Sequence, residues 1–400
     1  MNATDNAFIL ICSALVMFMT PGLALFYGGL VRNKNVLSTV MHSFALLGLA
    51  SIVWAVVGYS LSFGTDIGGL IGGLDFAFLN NVGPGVENSP AGNLPHLTFM
   101  IFQCMFAVIT PALISGAFAE RIKFSGFMIF SALWIILVYA PMCHWVWGGG
   151  WMGEMGALDF AGGAVVHMSS AAAALACAML LGKRKGHGRE AFIPHNLPMT
   201  ILGAGILWFG WFGFNAGSAL AADGLAANAF VTTHMATAAG LLSWIAAEWV
   251  HGGKATTLGA ASGAVAGLVA ITPAAGFVTP MPAIIIGLGA GVICYGGIML
   301  KNRFGYDDAL DVVGIHGVGG TWGALATGIF ASIGAEGLLA GNALQLWVQF
   351  VSVVATWVFC FVMTVIIFKV VNAMVGMRAT DEDEVRGLDV SQHSETGYQI

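Results

Sequence analysis

The chain has 400 residues, of which 58% are hydrophobic and only 8% charged, and its formal net charge is −6. Soluble domains carry about 25% charged residues, so this composition excludes an ordinary water-facing protein. The acidic balance, without a clustered surplus of Lys and Arg, argues equally against a nucleic-acid-binding protein and leaves the lipid bilayer as solvent.

A membrane-spanning helix needs roughly 20 predominantly apolar residues, and a charge inside one is costly. Ten long runs contain no Asp, Glu, Lys or Arg: 6–31, 35–65, 88–119, 124–153, 160–182, 191–222, 224–247, 255–300, 312–335 and 337–368. The first is read as a retained helix, because no Lys or Arg precedes it and it exceeds the apolar core of about 7 to 15 residues typical of a cleaved signal peptide. The connection 64–95, rich in Gly, Asn and Pro and carrying Asp66, Asp75 and Glu87, reads as an external loop. The run 255–300 is long enough for two helices and is punctuated near its middle by Pro273, Gly276, Pro280 and Pro282. The remaining runs hold one helix each, so eleven spans are expected. Residues 376–400 carry eight charges, six of them acidic, and read as a tail outside the membrane, solvated as such runs usually are.

Basic residues test this count, because Lys and Arg in short loops stay on the cytoplasmic side. Arg32 and Lys34 follow span one, Arg121 and Lys123 span three, and Lys183, Arg184, Lys185 and Arg189 span five. Lys254 follows span seven, Lys301 and Arg303 span nine, and Lys369, Arg378 and Arg386 close span eleven. All 14 basic residues thus fall after odd spans, which places the amino terminus outside and the carboxyl terminus in the cytoplasm. The expected fold is all-α and polytopic. Residues 1–375 form the transmembrane domain and 376–400 the tail.

Two five-helix blocks in series have opposite orientations, the arrangement of inverted repeats with a substrate path at their interface. Spans one to five and six to ten fit it, with a long eleventh helix added. His167 and His316 each lie in the last helix of a half, followed at +4 and +7 by Ala171 and Ala174 or by Gly320 and Gly323. Small residues at that spacing also serve plain packing.

Enzyme signatures are missing: the sequence has no HExxH, P-loop or GxSxG, and the run Gly287, Gly289, Gly291 has Val292 where a dinucleotide loop needs glycine. No cofactor or metal is expected. The six cysteines are scattered in apolar stretches without CxxC spacing and read as small buried hydrophobes. An ionisable group at membrane depth points to a function or a partner, and His167 and His316 suit each other as neutral rings sharing a hydrogen bond. The bland alternative is a core histidine satisfied by backbone.

A second constellation is aromatic. Phe102 and Phe106 share one helix face, Trp147 closes span four, and Trp208, Trp211, Phe212 and Phe214 crowd span six, with Ser218 four residues after Phe214. Aromatic faces attract small cations, although a tryptophan such as Trp147 also suits a membrane-surface belt. Asp159, before span five, reads first as a helix cap.

These residues resemble the Amt family of ammonium transporters over essentially the whole chain. The strongest motif is DFAGGAVVHMSSAAAALACAMLLGKR, from Asp159 to Arg184. FYGGLVRNKN (26–35), GAFAERIKF (116–124), WFGWFGFNAGS (208–218), GAASGAVAGLVAITPAAGFV (259–278), DDALDVVGIHGVGG (307–320) and GLDVSQHSETGY (387–398) are similar to further family segments. Trp147 favours the Amt branch over the related Rhesus proteins.

The resemblance implies a homotrimer of eleven-helix subunits in the cell (inner) membrane, each with its own narrow pore for ammonium or ammonia, methylammonium serving as analogue. It implies an outer recruitment site at Phe102, Phe106, Trp147 and Ser218, a stacked gate of Phe106 and Phe214, and a pore pair of His167 and His316. Asp159 then supports the outer site from within, and a PII-family regulatory protein docks at the cytoplasmic face. The alternative reading is an ammonium sensor that signals through its tail.

Overall fold

The computed structural model describes residues 2–399. Eleven long helices follow one another: α1 (Ala3–Leu30), α2 (36–63), α3 (His96–Phe118), α4 (124–147), α5 (Gly163–Leu181), α6 (Leu197–Gly217), α7 (Gly224–Gly252), α8 (Thr257–Ile271), α9 (Pro280–Phe304), α10 (313–330) and α11 (Ala343–Val375). Several begin on side-chain caps that satisfy free amides of the first turn. Asn2 accepts from Thr4 and Asp5, Asn196 from Met199, Asp223 from Leu225 and Ala226, and Thr256 from Gly259.

Among the described residues, nine helices are long and apolar enough to cross a membrane. The shorter α8 has 15 residues, about 22 Å at the helical rise. The run 255–300 does divide, but the turn lies at 272–279. Pro280 opens α9 instead of breaking it, because a first-turn proline loses no helical hydrogen bond. The loop after α2 contains a small antiparallel hairpin pairing Asp66–Ile67 with Ile71–Gly72, which hydropathy could not reveal. All six cysteines are buried and free.

Helices α1 and α6 pack along each other, and α5 crosses α10. Closeness at the first pair depends on glycine: a Cβ at Gly203 would lie 2.6 Å from the Gly22 carbonyl oxygen. At the second pair, a Cβ at Gly320 would lie 3.2 Å from the Gly163 carbonyl oxygen and from the His167 Cβ.

The loops after α1, α3, α5 and α9 meet on one face in a buried ionic cluster. Arg184 binds Asp307 through Nε to Oδ2 at 2.9 Å and Nη2 to Oδ1 at 2.8 Å, and its Nη1 reaches Glu120 Oε2 at 3.2 Å. Arg32 Nη2 holds the same Glu120 at 2.9 Å. Arg121, fully buried, donates to the Asp307 carbonyl at 2.5 Å, and the Phe192 ring lies between the guanidinium groups of Arg32 and Arg184 at 4.6 and 4.3 Å.

The tail departs from the solvated run that its charge suggested. It forms two short helices, α12 (Asp381–Arg386) and α13 (Leu388–His393), docked on this face. Asp389 accepts from the Leu37 and Ser38 amides at 3.0 and 2.7 Å, capping α2, while Lys34 Nζ donates to the Glu384 and Val385 carbonyls at 3.0 and 2.7 Å. Three of its six acidic residues are engaged, Asp381 with Lys185, Glu384 with Arg378 and Asp389 as the cap, which a count of charges cannot distinguish from solvation.

Candidate functional site: an aromatic cup above a paired-histidine pore

At one end of the bundle α3, α4 and α6 enclose a cup of about 340 Å³ lined by Phe99, Gln103, Phe106, Val146, Trp147 and Ser218, among others. Trp147 ends α4, and its Nε1 donates to the Asp159 carbonyl at 2.9 Å, which orients the indole face. The Phe106 and Trp147 rings meet edge to face at 5.9 Å. Ser218 Oγ spends its hydrogen on the Phe214 carbonyl at 2.8 Å, leaving the hydroxyl as an acceptor toward the cup. The cup thus offers π faces and oxygen lone pairs, a chemistry suited to a small cation that donates hydrogen bonds.

Two details lay outside the sequence reading. Phe102 does not line the cup: it is fully buried and packs edge-on behind Phe106, centroids 5.0 Å apart. Gln103, the next residue, does line it, with a buried Oε1 that has no partner. The one amide side chain of α3 was the signal available for it.

Below the cup, Phe106 and Phe214 stack at 4.3 Å with planes 30° apart, both buried. They separate it from a cavity of about 10 Å³, room for roughly one water, lined by apolar side chains together with Trp211, His167 and His316.

The two histidines meet as the sequence suggested. Their Nδ1 atoms lie 3.2 Å apart with ring planes 23° from parallel, and His167 also stacks on Trp211 at 5.3 Å. A Nδ1–Nδ1 hydrogen bond requires one ring to donate and the other to accept, so one Nε2 is left a lone pair and the other an N–H. The Nε2 of His167 is buried without a partner. Each histidine sits in a π-helical turn, Gly163–Met168 and Val313–Gly317, a local widening that re-aims side chains and recurs at functional sites.

Asp159 anchors the first of these turns, its carboxylate accepting the amides of Gly162, Gly163, Ala164 and Val165 at 2.8, 2.5, 2.8 and 3.2 Å. It is therefore a helix cap and a support for Trp147 at once. Asp308 has the matching place before the second turn, accepting the Val313 amide at 2.8 Å. Each aspartate precedes its histidine by eight residues, an echo legible in the sequence. Burial pushes the Asp308 carboxyl up to about 6, against the pull of Lys301. On the far side a second vestibule of about 240 Å³ is lined by Phe26, Phe192, Ser262, Asp311 and Ile315, the neighbour of His316.

The model of the Ammonium Transporter Family matches residues 7–398. The chain belongs to the ammonium transporter family. It is 55% identical to the Ammonium transporter of Bacillus subtilis, covering 100% of this chain and 99% of that protein. It is 48% identical to the Ammonium transporter Amt1 of Archaeoglobus fulgidus, over 100% of each. Among solved structures, Saccharomyces cerevisiae Mep2 superposes with a TM-score of 0.90 at 35% identity, over 96% of this chain and 88% of that one. A structure titled Sensor Amt Protein superposes with a TM-score of 0.91 at 30% identity, over 97% and 98%. The family is one of transporters and not a class of enzyme, and its several long apolar helices make this chain a multi-pass membrane protein.

Proposed function

We propose that the protein captures ammonium in the outer cup, removes one proton at the Phe106–Phe214 gate, and conducts ammonia past His167 and His316. The carrying observation is a passage closed by stacked phenyl rings, beyond which the histidine pair supplies the ionisable groups of an otherwise largely apolar wall. A bare ion at that depth meets a penalty of several kcal/mol, about that of a charged side chain at the bilayer centre. Neutral ammonia avoids it. Potassium has no proton to lose, so discrimination rests on acid chemistry more than on size. The proton either returns to the outer solution or passes through the hydrogen bond shared by the two rings. Methylammonium uptake and ammonium-evoked current in liposomes containing only this protein test the reading: uptake with current supports the relay, uptake without current supports proton return, and absence of both refutes conduction.

The arrangement belongs to an inverted repeat, spans one to five against six to ten, within eleven spans and with the amino terminus outside. Support comes from the paired packing of α1 with α6 and α5 with α10, and from the ionic cluster that joins loops following odd helices. Reporters fused into successive loops are expected to place 183–196 in the cytoplasm, and an external signal there overturns the topology. The same reading assigns residues 1–375 to the membrane and 376–400 to a cytoplasmic tail. It places homotrimers in the cell (inner) membrane and docks a PII-family protein on the face where the tail packs. A second reading, an ammonium sensor signalling through that tail, has the likeness to the structure titled Sensor Amt Protein in its favour. Binding of ammonium without flux in the liposome experiment selects it.

A further inference from the structure

Trp147 is followed by three glycines, 148–150, so no side chain of that segment holds the end of α4 in place. The restraint comes from His144, three residues earlier on the same helix. Its carbonyl accepts from Gly148 and Gly150 at 3.0 and 2.9 Å. Its ring, fully buried, lies with Nδ1 3.0 Å from the Ser62 carbonyl oxygen and Nε2 2.8 Å from Asp66 Oδ1. Asp66 opens the hairpin of the outer loop, which grips the same helix end at two further points. Trp145 Nε1 donates to the Leu70 carbonyl at 2.7 Å, and the Trp151 amide to the Gly69 carbonyl at 3.0 Å.

A carbonyl oxygen and a carboxylate both accept only, whereas a neutral imidazole has a single N–H. Satisfying both contacts requires two ring donors, hence an imidazolium opposite a carboxylate. Both Asp66 oxygens accept the Gly69 amide, at 2.8 and 3.0 Å, contacts that favour the carboxylate over an acid with a hydrogen to offer. The hydrogen bond from His144, followed by that from Gly69, holds its carboxyl below the usual range.

We propose that His144 and Asp66 form a charged latch that positions Trp147 over the cup, so that neutralising Asp66 weakens ammonium capture without altering conduction through the pore. This rests on the reading of the cup as the ammonium site. With Asp66 replaced by alanine, the ring either keeps its charge, leaving an uncompensated cation one turn from the cation-binding indole, or loses a proton and with it one of its two anchors. Both outcomes lower affinity. His144 is a positioning residue and does not touch the substrate.

The test compares Asp66→Ala, Asp66→Glu and Trp147→Leu with wild type for methylammonium uptake in liposomes at matched protein levels. Asp66→Ala is expected to raise the half-saturating concentration about fivefold or more with the maximal rate within about twofold, the mark of lost binding alone. Asp66→Glu, which keeps the carboxylate, is expected to stay near wild type, and Trp147→Leu to raise half-saturation. ¹⁵N spectra at neutral pH are expected to show the His144 ring protonated at both nitrogens. The latch is overturned by a singly protonated ring, by unchanged half-saturation in Asp66→Ala while Trp147→Leu raises it, or by a fall in maximal rate alone. Unchanged half-saturation in Trp147→Leu overturns the cup reading and the latch together.

Discussion

Replacing His167 or His316 by alanine is expected to lower ammonium-evoked uptake and current by roughly tenfold or more, or to abolish discrimination against potassium, with protein yield and folding largely preserved. Each ring supplies one side of the Nδ1–Nδ1 contact at 3.2 Å and part of the wall of a cavity otherwise lined mainly by apolar side chains. Removing one ring leaves its partner without the shared hydrogen bond and interrupts any proton path between them. The space left is polar on one side and large enough to admit water, so a purely electroneutral leak or potassium entry replaces selective conduction. Core histidines satisfied by backbone behave otherwise: their loss costs about 1 to 3 kcal/mol of stability through an unpaired polar group and leaves selectivity alone. The deciding comparison is ammonium against potassium current in wild type and both alanine variants at matched protein levels. Unchanged currents and selectivity in both variants refute the paired-histidine mechanism.

Replacing Arg184 by glutamine is expected to destabilise the protein by about 3 to 5 kcal/mol, because it removes the guanidinium that bridges two buried carboxylates. The Glu120 and Asp307 side chains are 0% and 1% exposed, and Arg184 is the group that bridges them. Thermal unfolding in detergent measures the effect. The triple variant Arg184→Gln, Glu120→Gln, Asp307→Asn is expected to recover much of the loss, since it removes the charges along with their partner. A single variant within about 1 kcal/mol of wild type, the range of surface pairs, would falsify a structural role for the cluster. The pH dependence follows from the same geometry. Burial by itself raises the Asp307 carboxyl, but the hydrogen bonds and charge of Arg184, with the charge of Arg121, overcome it and hold the group well below the usual carboxylate range. A carboxyl depressed on folding contributes stability above its unfolded pKa of about 3.9 and loses it as pH falls through the folded value. The stability difference between wild type and Asp307→Asn is therefore expected to be constant down to about pH 5 and to shrink only in stronger acid.

Several features of this transporter follow from the chain alone. A bilayer charges each residue nearly independently of its neighbours, so uninterrupted apolar runs mark helices and the basic residues mark loops that share a side. That is why Arg32, Arg121 and Arg184, each after an odd span, could be assigned to one face before their ion pairs with Glu120 and Asp307 were known. The isolated His167 and His316 were legible as partners for the same reason: a polar group at depth requires one. The roles of Phe106 and Phe214 came from family resemblance and not from spacing.

What tertiary structure decided is rotation, register and docking. In α3 the apolar window is 89% buried, so no polar stripe marks the side that faces the cup. Phe102 consequently sits behind Phe106 while Gln103 lines the opening. The π turns under both histidines, the hairpin that reaches His144, and the tail that caps α2 through Asp389 each depend on partners distant in sequence. Hydropathy and charge say where a residue lies along the membrane normal. Which neighbour it faces is set by the packing of the other helices around it.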